Sequence, residues 1–138
     1  MKFITALNCM DGRTIKPILK YFQKKLNIDD LYIDMITEPG IDGFLKNKEN
    51  IYKLEQKIRI SLINHDSDYI IIAGHYDCAG NPVNDEQHKN DIINSVNSLY
   101  SFLSENNFLI KNKLTIVGVY IDKNWEVEEI INIKIDNA

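Results

Sequence analysis

Two short motifs, Cys9-Met10-Asp11-Gly12-Arg13 and His75-Tyr76-Asp77-Cys78, each follow an apolar run and carry the most reactive residue types in the chain. Two thiolates and one neutral imidazole suit Zn²⁺, and three protein ligands leave the fourth coordination position free. Three ligands plus water are typical of a catalytic zinc, which lowers the pKa of water to about 7. The pattern therefore predicts one Zn²⁺ per chain, held by Cys9, His75 and Cys78.

The fourth position of this predicted site stays open to interpretation. The chain has two cysteines, both inside the motifs, and its other histidines, His65 and His88, lie outside them. This supply of ligands favours an open site or one closed by a carboxylate. Burial of Cys9 as a small apolar side chain and a disulfide between the two cysteines are the alternatives. Two cysteines do not make a disulfide scaffold, and nothing in the sequence indicates secretion.

Length and charge limit the classes of protein to which the chain can belong. Its 138 residues are enough for one domain, 1–138, that buries roughly 68–70% of its unfolded surface. The net charge of -4, with basic residues spread among acidic ones, argues against a nucleic-acid partner. The longest apolar run, Ile70 to Ala73, is far too short to span a bilayer. We expect a cytoplasmic protein, since thiols stay reduced in that compartment.

Apolar patterning predicts strands that alternate with helices. Strands are expected at 2–8, 30–37, 68–74 and 114–121, helices at 14–26, 50–64 and 92–103, and an edge strand in the tail 127–135. We predict a three-layer α/β fold with a mainly parallel sheet and a possible fifth edge strand. If strands one and three are neighbours, their carboxyl ends share a crevice, which brings the two motifs together.

Three further side chains invite both a functional and a structural interpretation. His65 follows the predicted second helix, where a cationic surface cap is expected rather than a ligand. His88 is a possible proton shuttle for a catalytic zinc, although an exposed helical position is the expected one. Trp125 is expected to pack on the sheet rather than to contact a partner.

The motifs C-x-D-x-R after the first strand and H-x-x-C after the third resemble the hallmarks of the β-class carbonic anhydrases, and the resemblance extends over most of the chain. It implies a sheet with the strand order 2-1-3-4 and a zinc lyase that hydrates CO2 to bicarbonate, with Cys9, His75 and Cys78 as zinc ligands. It also implies a catalytic dyad in which Asp11 accepts a hydrogen bond from the zinc-bound hydroxide and Arg13 holds Asp11. A homodimer, or a higher homo-oligomer, with the site near the subunit interface is implied in the same way.

The chain also departs from the family pattern. Ile36 to Gly40 stands where the family has Arg-Asn-Ala-Gly-Asn, a segment that shapes the substrate pocket. Gly12 replaces the common Ser, and Ala79 follows Cys78 before the glycine. We also expect the chain to lack the N-terminal helical arm of larger members. These differences indicate a compact, divergent branch of the family.

The resemblance leaves several functions open. In some members the aspartate binds zinc as a fourth ligand, and Asp11 could take either position. Carbon disulfide or carbonyl sulfide is an alternative substrate for the same zinc site. A non-catalytic zinc-binding module, permanently closed by Asp11, is a second alternative. A redox role for the two thiols is the weakest alternative, because it would need neither Asp11 nor Arg13.

Overall fold

The computed structural model describes residues 1–108 and 113–136. Within these ranges, five strands form one sheet in the order β2-β1-β3-β4-β5. The strands are β1 (Lys2–Asn8), β2 (Leu31–Thr37), β3 (Tyr69–His75), β4 (Lys113–Ile121) and β5 (Val127–Asp136). Strands β1 to β4 are parallel, and β5 pairs antiparallel with β4. The predicted α/β class, strand order and edge strand are confirmed.

Helices connect the strands and cover both faces of the sheet. They are α1 (Ile15–Leu26), α2 (Ile41–Phe44), α3 (Lys48–Tyr52), α4 (Glu55–Arg59), which runs into a π-helical turn (Ile60–Asn64), and α5 (Asp85–Glu105). Helix α5 begins where the Asn84 side chain accepts a hydrogen bond of 2.8 Å from the backbone N–H of Gln87. No helix in the described ranges is long and apolar enough to cross a membrane.

The single helix predicted over 50–64 is wrong. The segment divides into α3, α4 and the π-helical turn, because the backbone leaves helical geometry at Leu54, where φ is -103° and ψ is 4°. Ile51, Leu54, Ile58 and Leu62 are nevertheless all buried in the same cluster. The apolar spacing therefore predicts the buried face correctly, but it does not report the break in hydrogen bonding.

The central strand β3 separates two apolar cores. Ile70 and Ile72 face the core beneath the helices α2 to α5. Tyr69, Ile71 and Ala73 face the other core, which contains Ile18 and Phe22 of α1. Successive side chains of a strand point to opposite faces, so a strand covered on both sides is apolar throughout.

The direction of the chain across the sheet reverses beside β1. The connection from β1 leads to β2 on one side, and the next strand, β3, lies on the other side of β1. Asn8 pairs with Ala73, so β1 and β3 end side by side. Open α/β sheets bind ligands at the carboxyl ends of strands where the strand order reverses. The fold thus brings the two sequence motifs to one crevice.

Candidate metal centre

Cys9, His75 and Cys78 meet in this crevice. Cys9 directly follows β1, His75 ends β3, and Cys78 lies in the loop after it. All three are buried, with exposed fractions of 5%, 0% and 4%. Their potential ligand atoms lie within 4.8 Å of one another, and among the described residues this is the group of His, Cys, Asp and Glu side chains that converges in this way. The sequence prediction that these three side chains lie together is confirmed.

The two thiols are free rather than disulfide-bonded. Their Sγ atoms are 4.0 Å apart, about twice the S–S bond length of ~2.05 Å. Burial raises the pKa of the Cys78 thiol, and the nearby Cys9 raises it further, whereas backbone N–H groups of Asn81 and Gly80 lower it. A bound divalent cation would instead lower the thiol pKa, because a thiol that coordinates a metal is deprotonated. Two sulfur atoms and one imidazole nitrogen are a donor set suited to Zn²⁺.

The imidazole of His75 is oriented by its own loop. Its Nδ1 lies 2.7 Å from the carbonyl oxygen of Tyr76. A carbonyl can only accept a hydrogen bond, so Nδ1 carries the proton and Nε2 presents a lone pair. Nε2 is buried and has no hydrogen-bond partner among the described residues. A buried acceptor without a hydrogen-bond partner costs folding free energy. The arrangement fits a metal ligand, because metal-binding histidines typically donate a hydrogen bond from the other ring nitrogen, which fixes the tautomer.

Asp11 lies outside the converging group and is held by Arg13. The guanidinium donates from Nη2 to Oδ2 at 2.7 Å and from Nε to Oδ1 at 3.0 Å, and the backbone N–H of Arg13 donates to Oδ1 at 2.9 Å. These hydrogen bonds lower the pKa of Asp11 to about 2. The carboxylate is therefore an anion at neutral pH, fixed beside the three candidate ligands.

The same guanidinium reaches the loop that carries Cys78. It donates from Nη1 to Asp77 Oδ2 and from Nη2 to the Asp77 carbonyl, both at 3.2 Å. Its carbon lies 4.7 Å from the centre of the Trp125 ring, and that ring is 6.3 Å from the ring of His75. Trp125 is partly buried and packs on one of the sheet cores, as expected from the sequence. Neither Asp77 nor Trp125 was predicted to contact Arg13, although Asp77 is part of the second motif.

The two remaining histidines lie elsewhere. His65 follows the π-helical turn, is exposed and pairs with Asp34 at 2.7 Å, so it lies at the surface and outside the candidate ligand group. The expected exposed position of His88 is wrong: its exposed fraction is 1%, and its Nδ1 lies 2.6 Å from Asp42 Oδ2. Helix α5 turns His88 inward, where its ring stacks on Tyr120. A buried imidazole bonded to a carboxylate does not suit a proton shuttle to solvent.

Two surface cavities flank the site and differ in charge. One, of about 420 Å³, includes Arg13 and Trp125 and is otherwise lined by residues 12, 16, 17 and 20, two of them lysines. The other, of about 620 Å³, is lined by residues 76–78 and 82–86, including Cys78 and three acidic side chains. A small molecule can thus approach one of the three candidate ligands from the surface.

The family comparison covers nearly the whole chain. Residues 1–131 match a family model described as "Putative carbonic anhydrase". The chain belongs to this carbonic anhydrase family. Among curated protein sequences, none matches it.

Solved β-carbonic anhydrases share the fold of this family member. One of two tetrameric β-carbonic anhydrases from Sordaria macrospora aligns with a TM-score of 0.61 at 11% identity, over 94% of this chain and 81% of that one. The β-carbonic anhydrase isoform I of Trichomonas vaginalis aligns with a TM-score of 0.58 at 17% identity, over 93% and 82%. A carbonic anhydrase from Glaciozyma antarctica aligns with a TM-score of 0.52 at 14% identity, over 92% of this chain and 81% of that one. At these identities the likeness establishes the fold.

Proposed function

We propose that this member of the carbonic anhydrase family is a zinc enzyme of the β class that catalyses the reversible hydration of CO2 to bicarbonate. The observation that carries the proposal is one arrangement: three buried side chains converge as a Cys-His-Cys group, and a carboxylate held by a guanidinium lies beside them. The converging group supports metal binding. The adjacent Asp11–Arg13 pair supports catalysis rather than a structural zinc site.

Cys9, His75 and Cys78 are the residues that would hold Zn²⁺. When bound, the ion supplies Lewis acidity that turns water into a nucleophile at neutral pH. The protein's part begins with His75, whose Nδ1–H donates to the Tyr76 carbonyl and leaves Nε2 as the donor atom. Burial of all three ligands excludes bulk water from the donor set and strengthens the electrostatic interactions there.

Asp11 orients the nucleophile in this proposal. Because Arg13 keeps it ionised, Asp11 can only accept hydrogen bonds, so it takes the O–H of the attacking oxygen and directs that oxygen's lone pair toward CO2. Arg13 in turn is fixed by Asp77 and by the face of Trp125. With both Asp11 oxygens engaged by Arg13, the geometry favours an open site over one closed by the carboxylate.

Zinc removal and restoration test the proposed reaction. We would measure CO2 hydration by stopped flow on purified protein of known zinc content, then remove zinc with dipicolinate and add it back. Activity that falls and returns with zinc, at one ion per chain, is the expected result. Turnover of carbonyl sulfide or carbon disulfide without CO2 hydration would reassign the substrate. Stoichiometric zinc with none of these activities would indicate a binding module.

Assembly and location belong to the same proposal. The matched Sordaria macrospora enzymes are tetrameric, and we propose a homo-oligomer built on a dimer for this chain. Light scattering coupled to size exclusion checks it, and the mass of a single chain would contradict it. We further propose the cytoplasm as its location, because two free thiols must stay reduced to bind a metal. The substrate is a small molecule, with neither nucleic acid nor membrane as partner.

A further inference from the structure

The side chain of Asn81 fastens the loop that carries Cys78 to the protein interior. Its Nδ2 donates to Asp42 Oδ1 at 3.1 Å and to Asp91 Oδ2 at 3.0 Å, so both amide hydrogens are used. Both acceptor carboxylates are buried, with exposed fractions of 1%. Cys78 precedes Asn81 by three residues in this loop. One residue thus joins a candidate ligand to the protein interior.

Asp42 is the inner anchor of this connection. Its Oδ2 pairs with His88 Nδ1 at 2.6 Å, and its Oδ1 also accepts the backbone N–H of Gly43 at 3.1 Å. A Cβ atom added to Gly74 would lie 2.6 Å from Asp42 Oδ2, so the carboxylate lies directly against the strand backbone that precedes His75. Asp42 therefore borders the segments of two of the three candidate ligands.

Asp91 is the second anchor, and its own hydrogen bonds are satisfied. It accepts from Gln87 Nε2 at 2.8 Å and pairs with Lys46 Nζ at 3.1 Å. Hydrogen bonds from Asn81, Gln87 and Lys46 hold the pKa of Asp91 below its usual value in spite of burial. Buried polar networks whose members are satisfied are rigid and specify one arrangement. Asn81 is thus held by two fixed acceptors.

Backbone packing supports the loop from the opposite direction. A Cβ atom on Gly40 would lie 2.4 Å from the carbonyl carbon of Gly80 and 2.7 Å from the backbone nitrogen of Asn81. The loop after β2 and the loop after β3 therefore touch backbone to backbone. The side-chain amide of Asn81 also holds the second loop in this position.

We propose that Asn81 is a positioning residue of the metal site: held by Asp42 and Asp91, it fixes the loop that carries Cys78 and so raises the affinity for the metal. The inference rests on the proposed function only in taking Cys9, His75 and Cys78 as ligands. Outer partners of metal ligands typically contribute about 10- to 100-fold in affinity. Asn81 itself does not contact the reacting atoms.

Metal affinity of the folded protein tests this role. At fixed pH, we would measure the Zn²⁺ dissociation constant by competition with a chromophoric chelator, and Co²⁺ binding by its thiolate charge-transfer absorption, for wild type and Asn81→Ala. We expect the affinity to fall about 10- to 100-fold. Asn81→Ser keeps one hydrogen-bond donor, so its metal affinity should lie between those of wild type and Asn81→Ala. This variant provides the test if the alanine variant folds poorly.

Two control variants separate positioning from general destabilisation. Ser104→Ala removes a 2.9 Å hydrogen bond within α5, to the Tyr100 carbonyl, that involves neither the loop nor its anchors, and Asn90→Ala changes an exposed position on the same helix. Both should keep wild-type metal affinity. In a double-mutant cycle, Asp42→Asn should weaken binding less in Asn81→Ala than in wild type, because the two residues act through one hydrogen bond.

The outcomes distinguish this inference from the proposed reaction. Wild-type affinity in Asn81→Ala, or an equal loss in Ser104→Ala, would overturn the positioning role even if CO2 is hydrated. A weakened metal affinity in Asn81→Ala supports the role even if CO2 is not the substrate. Failure of the wild type to bind Zn²⁺ or Co²⁺ would overturn both.

Discussion

Arg13 joins the two ligand-bearing segments through a single guanidinium group. It holds Asp11 with a bidentate pair of hydrogen bonds. It also donates hydrogen bonds to the side chain and the carbonyl of Asp77 across the crevice. Arginine suits this position because its planar fork offers several donors in fixed directions, whereas lysine is a single flexible point charge. The orientation of Asp11 therefore depends on the shape of this side chain as well as on its charge.

Arg13→Lys should keep the positive charge but lose activity. We expect kcat/KM for CO2 to fall about 10²-fold, the cost of a small misplacement of a catalytic group, with zinc content unchanged. Stopped-flow hydration kinetics measure the loss. Arg59→Lys, at an exposed pair with Glu55, is the matched control and should be neutral. A wild-type rate in Arg13→Lys would show that orientation by the fork is unnecessary.

The lowered pKa of Asp11 has a consequence for stability in acid. A carboxyl group whose pKa falls from 3.8 to about 2 on folding stabilises the native state above pH 3.8, and this contribution is lost as the pH falls toward 2. Asp11→Asn lacks the contribution. Urea unfolding from pH 5 to pH 2 should therefore show a stability difference between wild type and Asp11→Asn that shrinks with acid.

An exposed carboxylate provides the control for that titration. Asp29→Asn, at an exposed position, should give a small difference from wild type at every pH. A wild-type to Asp11→Asn difference that stays constant from pH 5 to pH 2 would contradict the ion pair with Arg13.

At the scale of elements, the site depends on loops that follow strand ends. Strands β1 and β3 bring Cys9 and His75 together, because Asn8 and Ala73 are paired neighbours. Cys78, however, lies in a loop, and its position depends on the segment after β2. Gly40, with φ of 59°, lets that segment touch Gly80 without a side chain between them.

Gly40→Ala should be strongly destabilising. The substitution places a Cβ at a positive φ and 2.4 Å from the Gly80 carbonyl carbon, so we expect a loss of about 1–3 kcal/mol from the backbone conformation alone. Gly12→Ala is the matched control, because an added Cβ there has no neighbour within 4 Å. Urea unfolding of both variants measures the contrast. Equal midpoints would argue against the close contact of the two loops.

The elements differ in how far the sequence predicts them. The five strands follow from apolar runs, their order follows from the family resemblance, and the candidate ligands follow from two motifs at strand ends. The break at Leu54 was missed because α3, α4 and the π-helical turn keep one apolar face. The inward turn of His88 was missed because its partner, Asp42, is far away in the sequence.

At the scale of the whole molecule, metal binding is linked to folding. The three candidate ligands come from segments that are distant in the sequence and converge only in the folded chain. A metal that binds the native state and not the unfolded state stabilises the former by mass action. The fold therefore has a measurable dependence on zinc, separate from any activity.

Zinc should raise the thermal unfolding temperature. At a free concentration of 100 times the dissociation constant, the expected stabilisation is about 2.7 kcal/mol, and dipicolinate should remove it. Calorimetry of zinc-loaded and zinc-free protein measures the shift. Cys9→Ser should abolish most of the response, whereas Ser104→Ala, an exposed substitution on α5, should keep it. A response that survives Cys9→Ser would place the zinc elsewhere.

The most direct test of the central claim is CO2 hydration by wild type and Asp11→Asn, with the zinc content determined in the same samples. We expect one zinc per chain in both proteins, rapid hydration by the wild type, and a rate at least about 10²-fold lower in Asp11→Asn, which can no longer orient the nucleophile as an anionic acceptor. Stoichiometric zinc without CO2 turnover by the wild type between about pH 7 and 9, where zinc should supply an ionised nucleophile, would contradict the account.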